Sequence, residues 1–311
     1  MEYRTLGNTG LQVSVLGFGG SSLGSPFRPI DENEGIRAVR VALDHGINLI
    51  DTSPFYGLTR AETVLGKALK GISRDRYYLA TKAGRYGYKV RDCDFSAARV
   101  TRSVEESLDR LGVEYVDFIQ VHDMEFGDLR QIVEETIPAL QKVKEQGKAR
   151  FVGVTGLPLR LFRHVVDRVP VDQIQSYCHY CLNDTALADL LPYLREKGVG
   201  IFSSAPLAMR LLTVAGPPDW HPAPKEVRDC CRQAARFCAD RGADLAKLAL
   251  QFSVAHPGIH TTLVGTASPE RIAVNLRQIE EPMDAELLRQ VQAILEPVHN
   301  VTWPQGRPEN N

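Results

Sequence analysis

The chain has no surplus of charge: 37 Lys and Arg stand against 38 Asp and Glu, a formal net charge of -1. Its cations are spread along the chain, so the basic footprint of a nucleic-acid or anionic-membrane binder is missing and neither partner is expected. No apolar run reaches the length of a bilayer span. The opening Met1-Glu2-Tyr3-Arg4-Thr5 has no signal-peptide core, and the Val13–Gly19 run is too short to supply one, so a cytoplasmic protein is expected. Cysteine is also scarce, with six in 311 residues, which rules out a disulfide framework. Cys178-His179-Tyr180-Cys181 has the spacing of a zinc or redox pair. A structural zinc needs a second spaced pair, and Cys230-Cys231 is not one, so no metal is expected and the thiols read as reduced. No Pro/Ser linker or shift of composition divides the chain, which predicts one domain over residues 1–311.

What is present is alternation. Residues 3–15 alternate around Gly7-Asn8-Thr9-Gly10, the pattern of a small β-hairpin. Short apolar runs then recur: Val15–Gly19, Asn48–Asp51, Tyr77–Lys82, Val116–His122, Phe151–Thr155, Asp172–Tyr177, Val199–Ser204 and Thr261–Gly265. Between them lie helical patterns, clearest over Ser96–Leu111, where Val100, Val104, Leu108 and Leu111 fall on one face. A long helix is expected over about 128–146, another over 186–197, and an irregular loop over 207–224. Helices near 225–240, 244–255, 269–278 and 284–296 follow, two more than a plain alternation needs. Most of the strands are apolar on both faces, so both are covered. Eight such strands predict a closed (β/α)8 barrel with an N-terminal hairpin and two extra helices in the C-terminal half. A doubly wound open sheet is the alternative, but Gly17-Phe18-Gly19-Gly20 lacks the spacing of a dinucleotide-binding turn.

The strand ends carry the chemistry. The second strand ends at Asp51, with Tyr56 on the loop beyond Pro54. The third ends at Lys82 and the fourth at His122. In a barrel these ends share one mouth. Singly, Asp51 reads as well as a helix cap, Lys82 as a surface lysine and His122 as a core histidine. Together they form a set, because a lysine ending an apolar strand needs a partner and Asp51 can be it. A phenol titrates near pH ~10, and a neighbouring ammonium is expected to lower that value. His122 is placed to orient a substrate oxygen or relay its proton. Such a phenol serves a carbonyl or alcohol oxygen, which is half of a hydride transfer; the other half needs a nicotinamide cofactor.

On this order and spacing, with Gln175, Ser204-Ala205-Pro206-Leu207 and Val264-Gly265-Thr266…Arg271…Asn275, the chain resembles the aldo-keto reductases over essentially its whole length. The resemblance implies a barrel that binds NAD(P) in extended form. It makes Tyr56 the general acid/base, with Asp51, Lys82 and His122 completing a tetrad. It implies cofactor contacts from Gly20, Ser21, Asp51, Thr155, Gln175, Ser204, Leu207, Met209, Arg210, Gly265, Thr266, Ser268, Arg271 and Asn275. This chain departs from the family at several of these positions. Gly156 stands where asparagine is common, Ser204 where a stacking tyrosine is common, and Met209 and Arg210 where glycines are frequent. Gly265 replaces a lysine common in NADP users, while Arg271 keeps the arginine that meets a 2′-phosphate. NAD is the favoured cofactor, with NADP admitted through Arg271.

Further stretches resemble the sugar-oxidising branch of that family, among them Val121–Gly127, Thr155–Leu159, Ser176–Tyr180 and Gly216–Pro222. That resemblance implies oxidation of an aldose at C1 to its lactone, with L-galactose first and L-fucose or D-arabinose as alternatives. A general NADPH-dependent carbonyl reductase and a regulatory subunit without turnover are competing readings. For the sugar, Asp123 could accept a hydrogen bond from a hydroxyl, or could instead cap the helix beyond residue 128. Trp220 could stack on the sugar face or pack over the barrel rim. Phe55 and Trp303 could wall the pocket. No macromolecular partner is expected beyond a weak homo-oligomer.

Overall fold

The computed structural model describes residues 1–25 and 29–311. Strands β1 (Tyr3–Thr5) and β2 (Gln12–Ser14) form the expected antiparallel hairpin, with Tyr3 opposite Ser14. Gly10, at φ 73°, turns the chain between them. Eight parallel strands follow: β3 (Leu16–Gly19), β4 (Leu49–Asp51), β5 (Tyr78–Ala83), β6 (Val116–Val121), β7 (Ala149–Gly156), β8 (Gln173–Tyr177), β9 (Gly200–Ser204) and β10 (Thr261–Gly265). Each pairs with the next, and β10 pairs with both β9 and β3. That last pairing closes the barrel and excludes the open sheet.

The hairpin plugs one end of the barrel. Its Leu6, Leu11 and Val13 pack against the inward side chains Leu49, Ala80, Phe118, Phe202 and Leu263. The opposite end, where the strands finish, is left for the loops. Outside, the helices cover the strands through a larger apolar cluster that includes Val39, Leu65, Val104, Leu140 and Phe162. Burial of this kind contributes roughly 25 cal/mol per Å² of apolar surface.

Two predicted helices differ in detail. The one expected over 128–146 runs as α-helix at Leu129–Gln131, widens to a π turn at Ile132–Thr136, and resumes as α-helix at Ile137–Glu145. Pro138 explains the widening: it has no N–H, and its ring crowds the carbonyl four residues earlier. The one expected over 186–197 opens as 3-10 helix (Ala186–Leu190) and becomes α only at Leu191–Glu196, where Pro192 fits the first turn. The two extra helices, Lys225–Ala239 and Ala285–Leu295, share a second apolar cluster containing Val227, Cys231, Val291, Leu295 and Trp303.

Candidate active site

Asp51, Lys82 and His122 come together at the mouth because β4, β5 and β6 are neighbours in register, with Lys82 opposite Gln120. The Lys82 ammonium donates to both Asp51 oxygens, at 2.7 and 2.6 Å, and to the Thr52 carbonyl at 2.9 Å. It lies 3.2 Å from the Tyr56 hydroxyl. Gln120 donates to Asp51 Oδ1 at 3.0 Å, and Gln175 approaches Oδ2 at 3.4 Å. Asp51 therefore holds Lys82, as expected, and Lys82 holds Tyr56. Gly20 has no side chain because a Cβ there would stand 2.8 Å from the Asp51 carbonyl.

The phenol is shifted the opposite way from the sequence expectation. Burial raises Tyr56 to about 12, and the Lys82 charge only partly opposes it. The reason is that Asp51 already neutralises Lys82, and Asp51 and Asp123 both disfavour a phenolate. Burial also pushes the Lys82 ammonium down, but the Asp51 and Tyr56 interactions outweigh it and the net shift is upward. His122 is lowered to about 3, chiefly by burial, so its ring is neutral. The Ser53 hydroxyl accepts from the Phe55 N–H at 3.0 Å and lies 2.9 Å from His122 Nδ1. Ser53 can give its single proton to Nδ1, which leaves the hydrogen on Nε2. His122 then presents a fixed neutral donor.

A second buried pair adjoins the first. Arg85 bonds Asp123 through a short ion pair, and its guanidinium lies 4.0 Å from the Phe55 ring centre and 4.1 Å from that of Phe126. Asp123 Oδ2 is 3.7 Å from His122 Nε2. The Asp123 N–H donates to Thr155 Oγ1 at 2.8 Å, and that hydroxyl donates to Asp123 Oδ1 at 3.1 Å. The cap alternative for Asp123 is wrong: the helix beyond it is capped by Asp128, which accepts from Arg130 and Gln131. Glu125 is buried too, accepting from the Leu157 N–H at 3.2 Å and the Tyr177 hydroxyl at 3.0 Å. Burial, and then the Asp123 charge, raise it to about 8, which favours its neutral form.

Arg85, Gln120, Ser53, Glu125 and Tyr177 escaped the sequence reading. Gln120 had a signal: it shares the alternation phase of Phe118 and His122, which points it into the barrel. Gly156 now has a reason. A Cβ there would stand 2.9 Å from Glu125 Oε2, so the glutamate fills the space an asparagine side chain would take.

The positions implied for a nicotinamide cofactor fit such a group. Gln175 Oε1 is buried without a partner, an open acceptor for a carboxamide N–H. Gln175 Nε2 also reaches Ser204 Oγ at 3.4 Å. After β9, Ala205, Ala208, Met209 and Arg210 all have positive φ (59, 44, 50 and 79°), the backbone shape glycine would favour, kept without glycine. Such a backbone turns N–H groups toward an anion. At the end of β10 a Cβ on Gly265 would stand 3.0 Å from Ser21 Oγ. Thr266 Oγ1 accepts from the Ser268 N–H, and Ser268 caps the helix Pro269–Glu280 by accepting from the Arg271 N–H. Arg271 is exposed on that first turn and Asn275 is buried one turn on.

Phe55 packs edge-on to both Tyr56 and His122, with ring centres 6.0 and 5.5 Å apart, and so walls the site. The tryptophans are tied to His221 instead. Trp303 is buried edge-on to it at 5.2 Å, while Trp220 lies nearly parallel to it and remains largely exposed. Cys178 and Cys181 are buried thiols, and burial pushes both up. Among the described residues no helix is long and apolar enough to cross a membrane.

Residues 15–296 match the profile of the Aldo/keto reductase family. The chain is 52% identical over 319 aligned positions to the L-galactose dehydrogenase of Arabidopsis thaliana, covering 100% of this chain and 99% of that one. It is 30% identical to the D-arabinose 1-dehydrogenase of Saccharomyces cerevisiae, over 95% of each. Among solved structures it is similar to the aldo-keto reductase AKR11C1 from Bacillus halodurans (holo form), with a TM-score of 0.80, 29% identity and 99% of each chain covered.

Proposed function

The chain belongs to the aldo/keto reductase family, and from that premise we propose that it oxidises an aldose, L-galactose first, at C1 to the corresponding lactone. L-fucose and D-arabinose are the nearest alternatives. The observation that carries the reading is the Lys82 ammonium held between Asp51 and the Tyr56 hydroxyl, beside a neutral His122, at the barrel end the hairpin leaves free. The full-length likeness to an L-galactose dehydrogenase selects the sugar.

Tyr56 accepts the proton of the C1 hydroxyl, and His122 Nε2–H holds the same oxygen. Lys82 stabilises the phenolate that this requires, and Asp51 keeps Lys82 charged and in place. A bound oxidised nicotinamide supplies the hydride acceptor and brings a positive charge that favours the phenolate. Because the free phenol titrates at about 12, sugar oxidation is expected to speed up toward alkaline pH. Gln175, Thr155 and Ser204 would hold the nicotinamide side, the loop Leu207–Arg210 the pyrophosphate, and Gly20, Ser21 and the Gly265–Asn275 segment the far end. NAD is preferred, since Gly265 offers no cation and the adjoining serines leave little room for one. Arg271 allows NADP to work more weakly. On this reading the enzyme acts on a free sugar in the cytoplasm, as a single-domain monomer or weak homo-oligomer.

A second reading, an NADPH-dependent carbonyl reductase, has one observation in its favour: a phenol that keeps its proton is ready to act as an acid. Initial rates with L-galactose, L-fucose and D-arabinose, each with NAD and NADP, decide between them. Lactone formation fastest from L-galactose with NAD is the expected result. Turnover confined to aromatic aldehydes with NADPH would sink it.

A further inference from the structure

Removing a proton and a hydride at C1 gives no task to the Arg85–Asp123 pair, yet the pair is buried beside the histidine that holds the reacting oxygen. Taking two charges out of water is costly unless they are paired and hydrogen-bonded. Here they are kept in a fixed posture. Arg85 cannot swing, because Phe55 and Phe126 sandwich its guanidinium. Asp123 cannot turn, because Thr155 binds both its N–H and its Oδ1. Its backbone is held at φ 49°, an unusual value for a residue with a side chain. Arg85 Nε is buried with no hydrogen-bond partner. The pair is therefore rigid, and it retains unused capacity: a donor on Arg85 and further lone pairs on Asp123.

We propose that Arg85 and Asp123 read the hydroxyl next to the oxidised carbon, the C2 hydroxyl of the sugar, and so confine the site to aldoses carrying that hydroxyl in one configuration. The inference rests on the aldose-oxidation reading above and extends it to a named substituent. The distances argue for it. A C1 oxygen held by His122 Nε2 sits about 2.8 Å from that atom. In a staggered pyranose a gauche C2 oxygen lies about one hydrogen-bond length from the C1 oxygen. Asp123 Oδ2 is 3.7 Å from His122 Nε2, so a four-atom circuit from the histidine through both sugar oxygens to the carboxylate closes without moving the protein. The other neighbour of C1, the ring oxygen, has no hydrogen to offer. A carboxylate requires a donor, which selects the C2 hydroxyl over the ring oxygen. Arg85 contributes by holding that carboxylate charged and in place.

A site that keeps polar groups buried for one hydroxyl rejects analogues lacking it far more strongly than an apolar pocket does. The first test therefore varies the sugar and leaves the protein intact. Rates with NAD are compared for L-galactose, its 2-deoxy analogue, its C2 epimer L-talose, and L-fucose, which changes only C6. The expected loss in kcat/KM is at least ~100-fold for the first two analogues and under ~10-fold for L-fucose. In the variant R85A/D123A, which removes both charges together and leaves neither unpaired, the preference for L-galactose over its 2-deoxy analogue should shrink below ~10-fold. NAD binding, followed by fluorescence titration, should stay within ~3-fold, and a melting curve checks that the variant is folded. A 2-deoxy sugar oxidised by the intact protein within ~3-fold of L-galactose overturns this inference and leaves the aldose reading standing. A protein that oxidises none of these sugars overturns both.

Discussion

Two buried carboxylates stand at opposite ends of the barrel, and they are saturated differently. Asp117, near the start of β6, accepts from Arg150 at 2.7 Å and from Arg74 and the Leu79 N–H at 2.5 and 2.8 Å. Both of its cations are guanidiniums, which do not titrate. Arg74 also lies over the rings of Tyr77 and Tyr115. Asp51, at the end of β4, has one cation, a lysine, and shares it with the phenol of Tyr56. The lower end is closed chemistry: one anion, two permanent cations and no proton to move. The upper end puts the phenol's oxygen in contact with the ammonium and leaves its proton free to move; buried atoms lack partners at both ends, on Gln120 and Gln175 above and on Arg74 and Gln173 below, so the difference lies in which groups can titrate. The same fold thus uses buried charge to lock one end and to keep the other reactive, in line with the division between stability and chemistry at the two faces of such barrels.

The contrast can be broken most severely at the phenol. Tyr56→Phe should cut sugar oxidation by about 10²–10⁴-fold, the range for losing a general acid/base. NAD binding and the melting temperature should be nearly unchanged; a variant that oxidises sugar normally defeats the proposed mechanism. At the other end Asp117→Ala should do the reverse. It strands two arginines and should cost about 3 kcal/mol of stability, the low end for a broken buried pair because both arginines reach solvent. Urea unfolding measures the loss, and activity per folded molecule should hold.

Gly156→Asn is expected to act at the upper end alone. The new side chain collides with Glu125, an overpacking that costs about 1–3 kcal/mol. Adding Glu125→Ala should recover most of the loss; if it does not, the collision is not the cause.

The last comparison concerns pH. Glu125 has its folded value raised from 4.5 to about 8, so its contribution to stability is complete below pH ~4.5 and is lost as pH rises through ~8. His122 has its folded value lowered from 6.5 to about 3, so its contribution is complete above pH ~6.5 and is lost as pH falls toward ~3. Stability measured from pH 3 to 9 should therefore rise and then fall, and Glu125→Gln should flatten the falling limb. An unchanged limb would mean that another group titrates there.

The barrel was legible because its strands are apolar on both faces and its helices keep their 3.6-residue period. The grouping of Asp51, Lys82 and His122 was legible because three titratable side chains finish three successive strands. Arg85 was not, because its place depends on Gly84 turning the chain at φ 107° and on a partner 38 residues away. The upward shift of Tyr56 was not either: sequence shows that a lysine is near, but not that burial outweighs it. Pro138 was visible, yet whether it would end the helix or widen it depended on packing that only the folded chain supplies. The reason for Gly156 lay in a glutamate on a different loop, beyond the reach of local pattern.

The seam of the barrel bears on how the protein is made. Closure pairs Leu16 with Thr262 and Gly19 with Gly265, nearly the first strand residues of the chain with nearly the last. A polypeptide leaving the ribosome N-terminus first exposes Asp51, Tyr56, Lys82 and His122 long before residue 261 emerges. Through that interval β3 has an unpaired edge open to stray pairing, and contacts this distant in sequence form slowly. The residues proposed for the reaction are thus complete early in synthesis, while their geometry waits for the final strand. In refolding from urea, catalytic activity should accordingly return after most of the helical signal has recovered.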